Sequence, residues 1–227
     1  MNDGRITAEG ITKDYPSGEA TLHVLRGVAL AVGRGESVSV VGRSGAGKST
    51  LLHILGGLES PTAGRVSIDG SRVFEMDDSS RSSLRNRKLG FVFQFHYLLA
   101  EFSALENVSL PLLIRGVLPG EAKRQAAAIL AELGLSDRLD HRPAQLSGGE
   151  QQRVACARAL VHEPEFVLAD EPTGNLDSEN SKILIDLLLG QIEKRSMGFV
   201  IVTHDESLAA LAGKSYLLEE GVLQPAG

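Results

Sequence analysis

Three short stretches of this 227-residue chain carry side chains whose types and spacing suit phosphate chemistry. Gly42-Arg43-Ser44-Gly45-Ala46-Gly47-Lys48-Ser49-Thr50 fits the pattern G-x-x-x-x-G-K-[ST] at every fixed position. Its glycines let the loop wrap a polyphosphate with backbone N–H groups pointing inward. Lys48 then reaches the β- and γ-phosphates, and the Ser49 hydroxyl ligates Mg²⁺. Phe166-Val167-Leu168-Ala169-Asp170-Glu171 ends an apolar run in two acids. Asp170 suits a Mg²⁺ ligand acting through water. Glu171, one residue on and pointing differently, suits a general base that polarises the attacking water. Strand-end acids can also be mere helix caps, so this pair takes its meaning from the loop upstream. Leu146-Ser147-Gly148-Gly149-Glu150-Gln151-Gln152-Arg153 reads as a helix N-terminus able to offer free N–H groups and the Ser147 hydroxyl to an anion. Two such anion-binding helix starts can serve one ATP if they come from different subunits or if the chain folds back. The residues alone leave both routes open.

The elements that must position these groups are legible around them. Ser37–Val41 reads as a strand entering the glycine loop, and Thr50–Leu55 as a helix leaving it, closed by Gly56-Gly57. Upstream, residues 5–13 and 22–32 carry short apolar alternations, read as antiparallel strands. Arg65–Ile68, Asp69-Gly70 and Ser71–Val73 make a hairpin with a strong turn signal. A polar helix is expected near 77–87 and a strand at Leu89–Phe93, ending at Gln94. From Ser103 to about Leu139 the pattern turns helical, with a capping box at Ser103-Ala104-Leu105-Glu106 and a second helix opened by Pro119 and stopped by Gly134. A further Ser-x-x-Glu box at Ser147–Glu150 opens a helix through Ala159. Phe166–Ala169 and Phe199–Val202 read as buried strands flanking a long helix over Ser178–Arg195. Apolar strands alternating with helices imply an α/β fold whose parallel sheet is covered on both faces, with a helical subdomain inserted.

Composition bounds the function classes. The chain is 42% hydrophobic and 23% charged, ordinary for one globular domain with one core. Net charge is −6 without a basic cluster, which argues against a nucleic-acid face. Cys156 is the sole cysteine, so an internal disulfide is excluded and a reducing compartment is expected. No secretory leader and no apolar run of membrane-spanning length is seen, so a cytoplasmic protein is expected, reaching any membrane through a partner.

The glycine loop, Gln94, Leu146–Glu150, Asp170-Glu171, Asn175-Leu176-Asp177 and His204 occur in the order and approximate spacing of ABC-transporter nucleotide-binding subunits, and the resemblance spans nearly the whole chain. It implies one nucleotide-binding domain over residues 1–227, with a core of about 1–94 and 146–227 and a helical subdomain of about 95–145. The implied fold is a P-loop NTPase core with a mixed or parallel sheet and an antiparallel β subdomain. The resemblance further implies ATP and Mg²⁺ as cofactors. Ser147, Gly148 and Gly149 would bind the γ-phosphate of an ATP held by the other copy in a head-to-tail homodimer. Asp177 resembles the aspartate linking the two sites, and His204 the switch histidine on the γ-phosphate. Gln94 resembles the glutamine that senses Mg²⁺ and adjoins the membrane partner, and Tyr15 looks like the aromatic that stacks on adenine. Glu150 departs from the glutamine of many such subunits and adds a negative charge near the bound anion.

Gln94–Leu99, Phe102–Val108, Pro111–Leu113, His141–Pro143, Leu55–Leu58 and Ala169–Asp177 resemble the lipoprotein-releasing ATPase family (LolD). The run Thr173–Asp177 is shared with MacB-type exporter and FtsE-type cell-division ATPases. The implied partners are transmembrane subunits with large extracytoplasmic domains, with the chain peripheral on the cytoplasmic face of the inner membrane. A soluble ABC ATPase of DNA repair or the ribosome would need a long coiled coil or two ATPase domains in one chain, and this sequence carries neither.

Overall fold

The computed structural model describes residues 4–18 and 20–226. In chain order the elements are β1 (Arg5–Ser17), β2 (Ala20–Gly33), β3 (Ser37–Val41), α1 (Lys48–Leu55), β4 (Ala63–Ile68), β5 (Ser71–Arg72), α2 (Asp78–Lys88), β6 (Leu89–Phe93), α3 (Ala104–Ile114), α4 (Pro119–Glu132), α5 (Gly148–Leu160), β7 (Phe166–Asp170), α6 (Ser178–Lys194), β8 (Gly198–Thr203), α7 (Glu206–Ala209), β9 (Lys214–Glu219) and β10 (Val222–Pro225). They sort into two compact units. One takes the chain up to Arg85, Leu168–Asp170 and everything from Met197 on; the other takes Asn86–Val167 and Glu171–Ser196.

The first unit holds an antiparallel sheet in the order β2-β1-β4-β5. Strands β1 and β2 pair from Arg5↔Gly33 to Ser17↔Ala20, with register shifts near Ile11 and between Lys13 and Asp14. These irregularities hide the outer half of the strand from a period-two reading, which stops at residue 13. The β4–β5 turn is made by Asp69 and Gly70 at φ 53° and 76°, the left-handed pair that matches the twist of a two-residue hairpin. A second sheet sets β3 between β8 and β9, parallel to both, with β10 antiparallel on the outer side of β9. It is therefore mixed. The hairpin β9–β10 turns at Glu220 and Gly221, again both at positive φ. Val38, Val40, Val200 and Val202 lie wholly inside this sheet's packing. On α1, Leu51, Leu52, Ile54 and Leu55 are fully buried, each worth about 1.5–3 kcal/mol over its exposed state. That burial holds the start of α1 at the end of β3.

The second unit is mainly helical. Ser103 and Glu106 close the reciprocal capping box at the start of α3, and Ser147 and Glu150 do the same for α5. Pro119 opens α4 at its first position, where its missing N–H costs nothing. Gly90 on β6 has no room for a side chain, since a Cβ would sit 2.3 Å from the Ala159 carbonyl oxygen of α5.

Candidate functional site

In the first unit β3 runs into the loop 42–47, and the loop into α1. Gly45 and Gly47 take φ of 80° and 98°, a conformation that favours glycine. Gly47 is the N-cap of α1; no side chain caps this helix and its first turn holds no acid. The positive end of the helix dipole thus meets the loop without a capping carboxylate, which is the fit a polyphosphate requires. Packing demands glycine here as well. A Cβ on Gly42 would meet the Leu218 carbonyl at 2.5 Å, and one on Gly47 would meet Val24 at 2.8 Å. Lys48 is 8% exposed, and its ammonium donates to the Gly42 and Arg43 carbonyls at 2.8 and 3.2 Å. Those bonds fold the lysine back along the loop. Arg43, Ser44, Gly45 and Ser49 are exposed, while Ala46 and Thr50 are half-buried.

His204 follows β8. Because Val41 pairs with Thr203, His204 leaves the sheet level with Gly42 at the start of the loop. Asp205 beside it caps α7, accepting from the Ser207 and Leu208 amides. Asp170 ends β7, the strand beyond β8 in the sheet order. Tyr15, half-buried near the end of β1, donates its hydroxyl to Glu59. Burial raises the phenol's pKa, and the Glu59 bond adds to that. The Lys13 ammonium sits 4.9 Å from the Tyr15 ring centroid. One ring face therefore already carries a cation, and stacking would use the other.

In the second unit Gln94 leaves β6 and is held by Asn175. Its Nε2 lies 3.3 Å from Asn175 Oδ1, and Asn175 Nδ2 donates to the Gln94 carbonyl at 2.9 Å. A Cβ on Gly174 would fall 2.9 Å from Gln94 Nε2, so this glycine makes room for the glutamine side chain. The Gln94–Gly174 contact and the Asn175 bonds were not foreseen from residue types; a side-chain bond across 81 positions leaves no local pattern. Glu171 sits at φ 44°, left-handed backbone that a glutamate rarely adopts. It is the residue directly after Asp170, the last of β7.

Ser147 and Gly148 are exposed at the start of α5, whereas Gly149 is buried against Asn180. The Ser147 hydroxyl accepts from the Glu150 amide at 3.2 Å, and the Ser147 amide donates to Glu150 Oε2 at 2.8 Å. Arg138 Nε donates to Glu150 Oε1 at 2.8 Å. The Ser147 N–H and then Arg138 hold the carboxyl below its usual range. The extra charge at Glu150 is thus matched by a neighbouring cation. Asp177 is the N-cap of α6, accepting from Asn180 N at 2.9 Å and Asn180 Nδ2 at 2.7 Å. Among the described residues no three His, Cys, Asp or Glu side chains form a metal cluster. A hard cation beside phosphates suits such a sparse protein ligand set, since phosphate oxygens and water complete its shell. Also among the described residues, no helix is long and apolar enough to cross a membrane.

The family model for ABC transporters matches residues 25–174. The chain is 51% identical to the lipoprotein-releasing system ATP-binding protein LolD of Saccharophagus degradans over all of both chains. Its identity to LolD of Hahella chejuensis is also 51%, covering 98% of this chain and 96% of that one. LolD of Legionella pneumophila is 48% identical over 98% of each. Among solved structures it is similar to the bacterial ABC transporter cassette MJ0796, at 40% identity, TM-score 0.90 and 96% coverage of each chain. That cassette has been solved as a dimer and in a post-hydrolysis state bound to ADP and Pi.

Proposed function

The chain belongs to the ABC-transporter ATP-binding family, and from that premise we propose that it hydrolyses ATP to power the release of lipoproteins from the inner membrane through transmembrane partner subunits. The observation that carries the ATPase reading is the uncapped, acid-free start of α1 behind Gly42–Gly47, with Lys48 folded along the loop. Full-length relatives named for lipoprotein release support the cargo. The whole chain acts as one nucleotide-binding domain, with about 95–145 as its helical subdomain.

In this reading the amides of Gly42–Thr50 cradle the phosphates, Lys48 reaches the β- and γ-phosphates, and Tyr15 stacks on adenine through its open face. Ser147, Gly148 and Gly149 take the γ-phosphate of the ATP bound by a second copy, and Asp177 links the two sites. Ser49, Asp170 and Gln94 are the residues that would hold Mg²⁺, which when bound draws charge from the phosphoryl oxygens. Glu171 accepts hydrogen from the attacking water, and His204 positions that water against the γ-phosphate. Catalysis is mostly positioning and charge stabilisation. The partners are transmembrane subunits with large extracytoplasmic domains, docked at the segment after Gln94 on the cytoplasmic face.

Replacing Glu171 by Gln keeps the shape and removes the base. ATP binding should persist while turnover falls about a hundredfold or more; undiminished hydrolysis would reject the assignment. The same variant, captured from solubilised native membranes with Mg-ATP, should bring down few-span membrane proteins together with acylated lipoproteins. Septal proteins or an outer-membrane channel would instead identify an FtsE-type or MacB-type complex.

A further inference from the structure

The segment leaving β6 has its carbonyl oxygens taken up by side chains from elsewhere in its unit. Gln152 Nε2 donates to the Phe93 carbonyl at 2.9 Å. Arg158 donates to the His96 and Tyr97 carbonyls at 2.7 Å each, Tyr97 itself lying at φ 46°. Gln152 Oε1 lies 2.5 Å from His96 Nδ1. With its amide nitrogen committed to Phe93, Gln152 accepts at that contact, and His96 is fixed as the Nδ1–H tautomer. Gln152 is 1% exposed, so nothing in bulk water replaces these bonds if they break.

Both gripping residues stand on α5, the helix that begins behind Ser147. They stand six positions apart, about 9 Å along the helix axis. One attachment would let the segment swivel; two, spaced along a rod and placed on either side of Gln94, pin its direction as well as its position. Asn175 holds Gln94 itself, donating to its carbonyl at 2.9 Å. We propose that Gln152 and Arg158 are positioning residues that bind the Gln94 segment rigidly to the helix carrying Ser147, so that the two ATP-contacting groups move as one piece. This rests on the reading of Gln94 and Ser147 given above.

The test uses the full-length chain and the near-isosteric Gln152→Glu, which keeps an acceptor for His96 and loses the donor to Phe93. Amide hydrogen exchange over Gln94–Leu99 should quicken while α3 and α5 amides keep wild-type rates. At saturating Mg-ATP the maximal rate should fall on the order of tenfold or more, with KM within about twofold, as for a misplaced catalytic group. Combined with Gln94→Ala, Gln152→Glu should add little further loss, because both remove one function. Arg158→Lys, which keeps the charge but cannot span two carbonyls, should behave alike and stands in if the first variant fails to fold. Unchanged local exchange, or losses that multiply fully in the double variant, would overturn the proposal. Exchange reads the coupling even in a preparation without hydrolysis, so failure of the ATPase reading is told apart from failure of this one.

Discussion

Lowering the pH from 7 to 4 should destabilise the second unit through one histidine. His162, just after α5, is 7% exposed; its Nε2 donates to the Leu89 carbonyl at 3.0 Å, and its Nδ1 is buried without a partner. Burial, and then the charge of Arg115, push the imidazole down to about 4 against the opposing effect of the Leu89 bond. An unfolded chain has this group at its ordinary 6.5. Between those values the unfolded state binds a proton that the folded state refuses, so stability rises with pH and is lost on acidification. A gap of roughly two and a half units corresponds to about 3 kcal/mol by pH 4, with about 2 kcal/mol already gone at pH 5. Urea unfolding at steps from pH 7.5 to 4.5, with His162→Gln in parallel, measures it. The range stays above the carboxylates held low by their partners, and the other histidines are common to both proteins. The variant should show a flatter pH dependence by about 2 kcal/mol between pH 7 and 5. Equal slopes, or an imidazole resonance titrating near 6.5, would refute the reasoning.

Gly174→Ala should oppose stability and activity. Its backbone tolerates alanine, so stability holds or rises by a few tenths of a kcal/mol. The new methyl, 2.9 Å from Gln94 Nε2, displaces the glutamine, and turnover should drop about tenfold; unchanged turnover would show that Gln94 has slack. Cys156 is fully buried with its thiol pushed up to about 12 by burial. It should resist iodoacetamide in the native protein and react at the unfolding midpoint, followed by mass spectrometry; rapid native labelling would contradict the packing of α5.

Where chemistry is local, residue types spoke clearly. Asp69-Gly70 can make only a few turns, so its hairpin was legible, as were the boxes Ser103/Glu106 and Ser147/Glu150. Ser37–Val41 and Leu89–Phe93 match the observed strands at both ends. The glycine loop named its ligand class because few other uses exist for that spacing. What escaped was non-local. Strand β1 continues through Tyr15 and Pro16 because β2 pairs with it across bulges, not because those residues alternate. The hairpin β9–β10 was passed over, although Gly221 marks its turn. The left-handed Glu171 was invisible because nothing about a glutamate announces it. Gln152 and Arg158 reach partners 56 to 62 positions away, and only the folded chain shows what they hold.

The tautomer of His96 limits what could stand in its place. With Nδ1 donating to Gln152 Oε1, the ring keeps the amide turned so that Nε2 faces the Phe93 carbonyl. A side chain that offered only an acceptor at that reach would flip the amide and cost the strand its bond. Asparagine, whose amide nitrogen also stands at the δ position, is the one short replacement that keeps the orientation, so the imidazole serves here as an amide-like donor.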